Sequence, residues 1–235
     1  MKKWRLVLAC LLFGLVSCQE SVSELSQQAK DHLTSGNLDE ARSVFVRILE
    51  IDENNFGALN GKGVVEFQSG NFEACVELMD LALNIDSSDY KPYYNRGNAK
   101  REMGDLKGAL YDYSQAISIK ANDADLYNNR AYAHFKLGNL ENAKKDYDFA
   151  LQLNPNHQMA KFNLAMIDVA TGDLNGARVK FSELAQNNPE SGKIFLQLGK
   201  VNLMLGEKVP ACEAFVTAKS LGESDADTYL ENNCK

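Results

Sequence analysis

The chain has 235 residues, 45% of them hydrophobic and 24% charged, an ordinary globular composition far from that of a disordered segment. Its 25 lysines and arginines against 32 aspartates and glutamates leave a net charge of −7, which argues against a surface built to hold a nucleic-acid backbone. Length allows one or two globular units or a single repeat array.

Lys2, Lys3 and Arg5 give a positive start, followed by the apolar run Leu6 to Val16. That run falls short of the ~20 residues a bilayer-spanning helix needs and suits the hydrophobic stretch of a secretory leader. The quartet Leu15-Val16-Ser17-Cys18 at its end resembles the bacterial lipobox. The resemblance implies removal of residues 1–17, acylation of Cys18, and a short tether over 18–21; the alternative is an ordinary leader ending by chance beside a cysteine. Two or more acyl chains give stable anchoring, so lipid would hold the protein without a spanning helix. Cleavage removes three basic residues and no acidic one, taking the charge from −7 to −10, with no basic patch to assist on anionic lipid. Gln19 in place of an aspartate after the cysteine favours, on the same resemblance, the outer membrane of the cell envelope over the inner one.

The body repeats at a period of 34 residues without a gap. Gly36, Gly70, Gly104, Gly138, Gly172 and Gly206 mark the period, and Asn or Asp follows the first five. A glycine that ends one apolar-periodic stretch just before such a polar residue predicts a left-handed helix stop and the entry to a second helix. With this glycine as position 15, position 8 is Ala29, Gly63, Gly97, Ala131, Ala165 and Gly199, and position 20 is Ala41, Cys75, Ala109, Ala143, Ala177 and Ala211. Small residues nearly equidistant from the turn let two antiparallel helices approach closely. Position 24 is a large knob throughout: Phe45, Met79, Tyr113, Tyr147, Phe181 and Phe215.

These residues resemble the tetratricopeptide repeat over Val22 to Asp225. The resemblance implies an all-α fold, a right-handed α-solenoid of six helix-turn-helix units at 22–55, 56–89, 90–123, 124–157, 158–191 and 192–225. Residues 226–235 then begin a seventh first helix and stop, which fits a capping helix, since repeat arrays need a polar terminal face. The chain departs from the pattern at Lys161, where position 4 is usually large, at position 11, which is polar throughout, and near position 32, where proline survives only as Pro155 and Pro189.

Cys212 and Cys234 each stand 11 residues from Glu223, so antiparallel helices bring them opposite one another, and a disulfide there would staple the cap in an oxidising compartment. Cys75, where other units have alanine, fits a small core residue. Arg96 and Arg130 share position 7, and only their units carry aspartate at position 23, Asp112 and Asp146. This co-occurrence favours internal ion pairs across each hairpin over ligand-binding arginines.

His32, His134 and His157 lie in different units without metal-ligand spacing, and no nucleophile constellation, phosphate-cradling loop or carboxylate pair stands out. The expectation is no metal, no cofactor, no small-molecule substrate and no catalysis.

The tetratricopeptide resemblance implies a concave groove lined by positions 2, 5, 9 and 12 of the first helices. Carried onto this chain it gives Lys91, Tyr94, Asn98 and Arg101, then Asp125, Asn128, Tyr132 and Phe135, then Met159, Phe162, Met166 and Val169. Amides would hold a peptide backbone and the apolar end would take a side chain; alternatively, Met166 and Val169 pack against the next first helix. The lysine, asparagine and arginine clamp with which some family members hold a C-terminal carboxylate is absent, with Tyr94, Asp125, Asn129, Met159 and Asn163 at its positions. The expected function is a non-catalytic, lipid-anchored scaffold of the cell envelope that binds an extended peptide or a helix of a partner protein in its concave groove. A narrower form is an assembly or pilotin-type lipoprotein, and the alternative is an adaptor of an envelope enzyme.

Overall fold

The computed structural model describes residues 20–234; the leader, the lipobox and Cys18 lie outside the described residues, as does Lys235. The described residues are all-α, without a strand, and none of their helices is long and apolar enough to cross a membrane. They divide into two compact units, one ending at Ser87 and the other beginning at Ser88. The sequence reads as one uninterrupted array of six repeats, and the division falls next to the boundary between its second and third.

The first unit stacks two hairpins, α1 (Val22–Thr34) with α2 (Leu38–Ile51) and α3 (Phe56–Gln68) with α4 (Phe72–Ile85). The second unit stacks four: α5 (Tyr90–Glu102) with α6 (Leu106–Ile119), α7 (Ala124–Lys136) with α8 (Leu140–Leu153), α9 (Gln158–Thr171) with α10 (Leu174–Asn187), and α11 (Gly192–Met204) with α12 (Lys208–Ser220). A last helix, α13 (Asp225–Asn233), packs on α12.

Each hairpin turns on its position-15 glycine, and all six have φ between 77° and 84°, a region that side chains with a Cβ resist. The turn is sealed by backbone bonds: in the third unit Gly104 N–H donates to Arg101 O and Asp105 N–H donates back to Lys100 O, at 3.0 and 2.8 Å. These satisfy carbonyls that a helix end leaves open. Asp105 and Asp173 also accept from the backbone N–H of Gly108 and Gly176, at 2.9 Å each, and so cap the second helix; Asn37, Asn71 and Asn139 occupy the same place without a side-chain cap bond. The first helices other than α11 start on caps of their own, such as the reciprocal Ser21–Glu24 box and Asp89, which accepts from Lys91 N–H.

Within each hairpin the knob at position 24 lies against the small residue at position 8. A Cβ added at Gly97 would stand 2.9 Å from the Tyr113 ring, and one at Gly199 would stand 2.6 Å from Phe215, so glycine there is a packing requirement. Tyr113, Tyr147, Phe181 and Phe215 are all fully buried. Three of the polar residues at position 11 also have a structural reason. Glu66 accepts from Arg42 Nε and Asn71 Nδ2, Lys100 reaches Asp112, and Asp168 pairs with Lys180. Burial pushes the Glu66 carboxyl up, but the bonds from Arg42 and Asn71 more than offset this and hold it below the usual carboxylate range.

The final helix closes the stack. Ala226 is fully buried, the Tyr229 ring stacks on Phe215 at 4.8 Å, and Cys212 and Cys234 form a disulfide with Cα atoms 5.7 Å apart.

Candidate functional site

The residues that sequence assigns to a groove stand on α5, α7 and α9, all within the second unit. A polar network joins α5 to α7 there. Asn129 on α7 donates through Nδ2 to the Tyr94 hydroxyl at 3.2 Å and to Asn98 Oδ1 at 3.3 Å, both on α5, while the buried Tyr113 hydroxyl donates to the same Asn98 oxygen at 2.8 Å.

Asn98 and Asn128 are each only 9% exposed. The sequence expectation set both amides on the groove surface; the structure turns them inward, Asn98 as an acceptor inside the network and Asn128 donating to Asn129 Oδ1 at 3.4 Å. A helix turns about 100° per residue, so a one-residue difference in register moves an amide from the face to the floor. Asn129, at position 6, is the amide that links neighbouring first helices. Its signal in the sequence is recurrence, since Asn95, Asn129 and Asn163 share position 6 in three consecutive units.

Toward the C-terminal ends of α5 and α7, the half-buried Tyr132 ring has Arg101 5.6 Å and Lys136 5.9 Å from its centroid. Arg101 also pairs with Glu102 at 2.6 Å. Lys91 and Met159 are exposed, and Phe135 is half-buried on the core around Tyr147. On α9, Phe162, Met166 and Val169 are half-buried and pack on the cluster around Phe181, with Phe162 edge-on to Phe181 at 5.4 Å and Lys193 5.2 Å above its ring. Met166 and Val169 thus join the core between α9 and α11 while keeping part of their surface outside. Half-exposed rings flanked by cations, over a buried amide network, can grip apolar and backbone groups.

The arginines of position 7 lie inside their own hairpins. Arg96 donates to Asp112 through Nε at 3.0 Å and a terminal nitrogen at 2.6 Å, and Arg130 donates to Asp146 by two bonds of 2.7 Å. Bonding to Asp146 raises the Arg130 guanidinium further against the opposing effect of burial. The Tyr93 and Tyr127 rings each cover one of these guanidinium groups at 5.6 Å.

Burial pushes the Cys75 thiol up to about 12, with the Glu66 charge adding to it, so the thiol stays protonated and unreactive at neutral pH. His157 caps α9, accepting from Ala160 N–H at 3.2 Å while its other nitrogen lies 3.0 Å from Asp125. Among the described residues no three histidine, cysteine or carboxylate side chains gather as metal ligands.

Models of tetratricopeptide repeats match residues 26–90 and 124–157, and a model described as a TPR repeat matches residues 97–138, so that together they span more than half of the chain. No curated protein sequence matches. Among solved structures, one titled as the functional characterisation of pilF from Pseudomonas aeruginosa superposes with a TM-score of 0.77 at 18% identity, covering 89% of this chain and 96% of its own. A tetratricopeptide repeat protein from Parabacteroides merdae gives 0.64 at 18% identity, over 91% and 99% of the two chains. YrrB, titled a TPR protein with an unusual peptide-binding site, gives 0.64 at 20% identity, over 80% and 97%. At such identities the likeness is one of fold, and together with the matched repeats it places this chain in the tetratricopeptide-repeat family.

Proposed function

We propose that the protein is a non-catalytic scaffold that holds an extended segment of a partner protein along α5, α7 and α9. The observation that carries this is the row of half-buried rings Tyr94, Tyr132 and Phe162, with Asn129 bonded to the first, Arg101 and Lys136 beside the second and Lys193 over the third. Such a row offers ring faces and hydrogen-bonding edges to a chain lying across successive helices, and it presents no acid, base or nucleophile poised for chemistry. That a protein of like fold, YrrB, is titled as having a peptide-binding site is in keeping with this reading.

The leader supports a reading of where the scaffold works. The positive start, the short apolar run and Leu15-Val16-Ser17-Cys18 support acylation at Cys18 and residence in the cell envelope, with Gln19 favouring the outer membrane. An assembly lipoprotein for an outer-membrane machine is the narrower form of this reading, and an adaptor of an envelope enzyme is the alternative.

Replacing Tyr94, Tyr132 and Phe162 together with alanine should abolish capture of the partner from solubilised envelopes at unchanged helicity; unchanged capture would reject the groove. Cys18→Ala should release the protein from the membrane fraction and end incorporation of labelled fatty acid, and a variant still held in the membrane would reject the anchor.

A further inference from the structure

Position 4 of each hairpin is Leu25, Leu59, Tyr93, Tyr127, Lys161 or Phe195 in turn. In the fourth unit the Tyr127 ring lies 4.5 Å from the Phe149 ring and 5.6 Å from the Arg130 guanidinium, on the core that Ile117 flanks. In the fifth unit the equivalents of Ile117, Arg130 and Phe149 are Leu151, Leu164 and Glu183, and the ring itself is replaced by Lys161. What remains is a cleft of about 200 Å³ between α8, α9 and α10, lined by Leu151, Leu164 and Leu184 and rimmed by Lys161, Lys180 and Glu183.

We propose that this cleft is a second binding site, a seat for an aromatic side chain of a partner protein that has a carboxylate beside the ring. Size and shape argue for the ring. An apolar cavity of ~150 Å³ holds a benzene molecule, and the neighbouring hairpin fills the same seat with the tyrosine of its own fourth position. Charge argues for the carboxylate. Lys161 Nζ stands 3.9 Å from Glu183 Oε1, beyond hydrogen-bond reach, and Glu183 is largely exposed, so the ammonium at the mouth has an incompletely matched charge. Lys180 is held by the buried Asp168, which keeps the opposite wall in place. The cleft shares no residue with the Tyr94, Tyr132 and Phe162 row, and the proposal stands apart from that site.

The test is a methyl-NMR titration of the mature protein with an acetylated, amidated Gly-Asp-Phe-Gly peptide. The Leu151, Leu164 and Leu184 methyls should shift, and replacing the phenylalanine of the peptide with alanine should weaken binding about tenfold, as expected when ring burial is lost. Lys161→Phe, which rebuilds the ring of the other units, should remove those shifts and raise the melting temperature. Lys161→Gln keeps the cleft open, and should make the Asp-Phe and Asn-Phe peptides bind equally. No shift of the three leucines at millimolar peptide, shifts confined to residues around Tyr94 and Phe162, or an Asp-Phe preference that survives Lys161→Gln would overturn the proposal.

Discussion

Asp112 is fully buried and accepts from two nitrogens of Arg96 and from Lys100 at 2.8 Å. A carboxylate taken from water costs several kcal/mol, which only close partners repay, and removing one partner strands the other charges. Asp112→Ala should therefore cost about 3–5 kcal/mol in urea unfolding, whereas the double variant Arg96→Met with Asp112→Leu should lose much less. A loss below about 1 kcal/mol for the single variant would equal that of a surface pair and deny the aspartate this structural role. The Arg96 partnership was legible because aspartate at position 23 and arginine at position 7 occur in the same two units. Lys100 was not, since a polar position 11 reads as a departure until the facing helix is in view. His134, also at position 11, has its imidazole pKa lowered by burial, with Asp146 opposing and Arg130 adding to the effect. Its unfolded counterpart titrates at about 6.5 and takes up a proton first as pH falls. Its contribution to stability is thus present above about pH 6.5 and is lost as pH drops through the lower folded value. The melting temperature should fall as pH drops below about 6.5, and His134→Gln should flatten that fall; identical slopes in the two proteins would assign the effect elsewhere.

At the scale of elements, the disulfide between Cys212 and Cys234 fixes α13 on α12 and closes a loop with a sequence separation of 22. The chain-entropy model assigns such a loop roughly 3 kcal/mol. Reduction, or Cys234→Ser, should lower stability by about that amount and expose the amides of α13 to hydrogen exchange first. A change under about 0.5 kcal/mol would mean that the Phe215–Tyr229 stack holds the cap unaided. Hairpin geometry made this pairing readable, because residues equidistant from a turn meet across antiparallel helices. The same arithmetic placed the small residues of positions 8 and 20. It did not reveal which groove amides turn inward. Asn98 faces the network because Tyr113 on α6 and Asn129 on α7 supply donors on its buried side, and those donors come from other helices, whereas Asn128 turns in against Asn129 of its own helix. The open seat at Lys161 was visible only as a missing large residue; its leucine walls come from three helices.

At the scale of the whole molecule, the six helical hairpins of the described residues and their six left-handed turn glycines follow from a period that the sequence displays openly, while the left-handed Gly222 before α13 stands outside it. The division at Ser87 and Ser88 was hidden by that regularity, because the 34-residue register runs across it unbroken. The central claim, that partner protein lies along the first helices of the second unit, is tested most directly by photocrosslinking in intact cells. A photoreactive amino acid replacing Tyr132 should yield a discrete crosslinked partner, and the same probe replacing Tyr111, an exposed residue on the second helix α6, should yield none. Crosslinks from Tyr111 to that partner, with none from Tyr132, would contradict the claim.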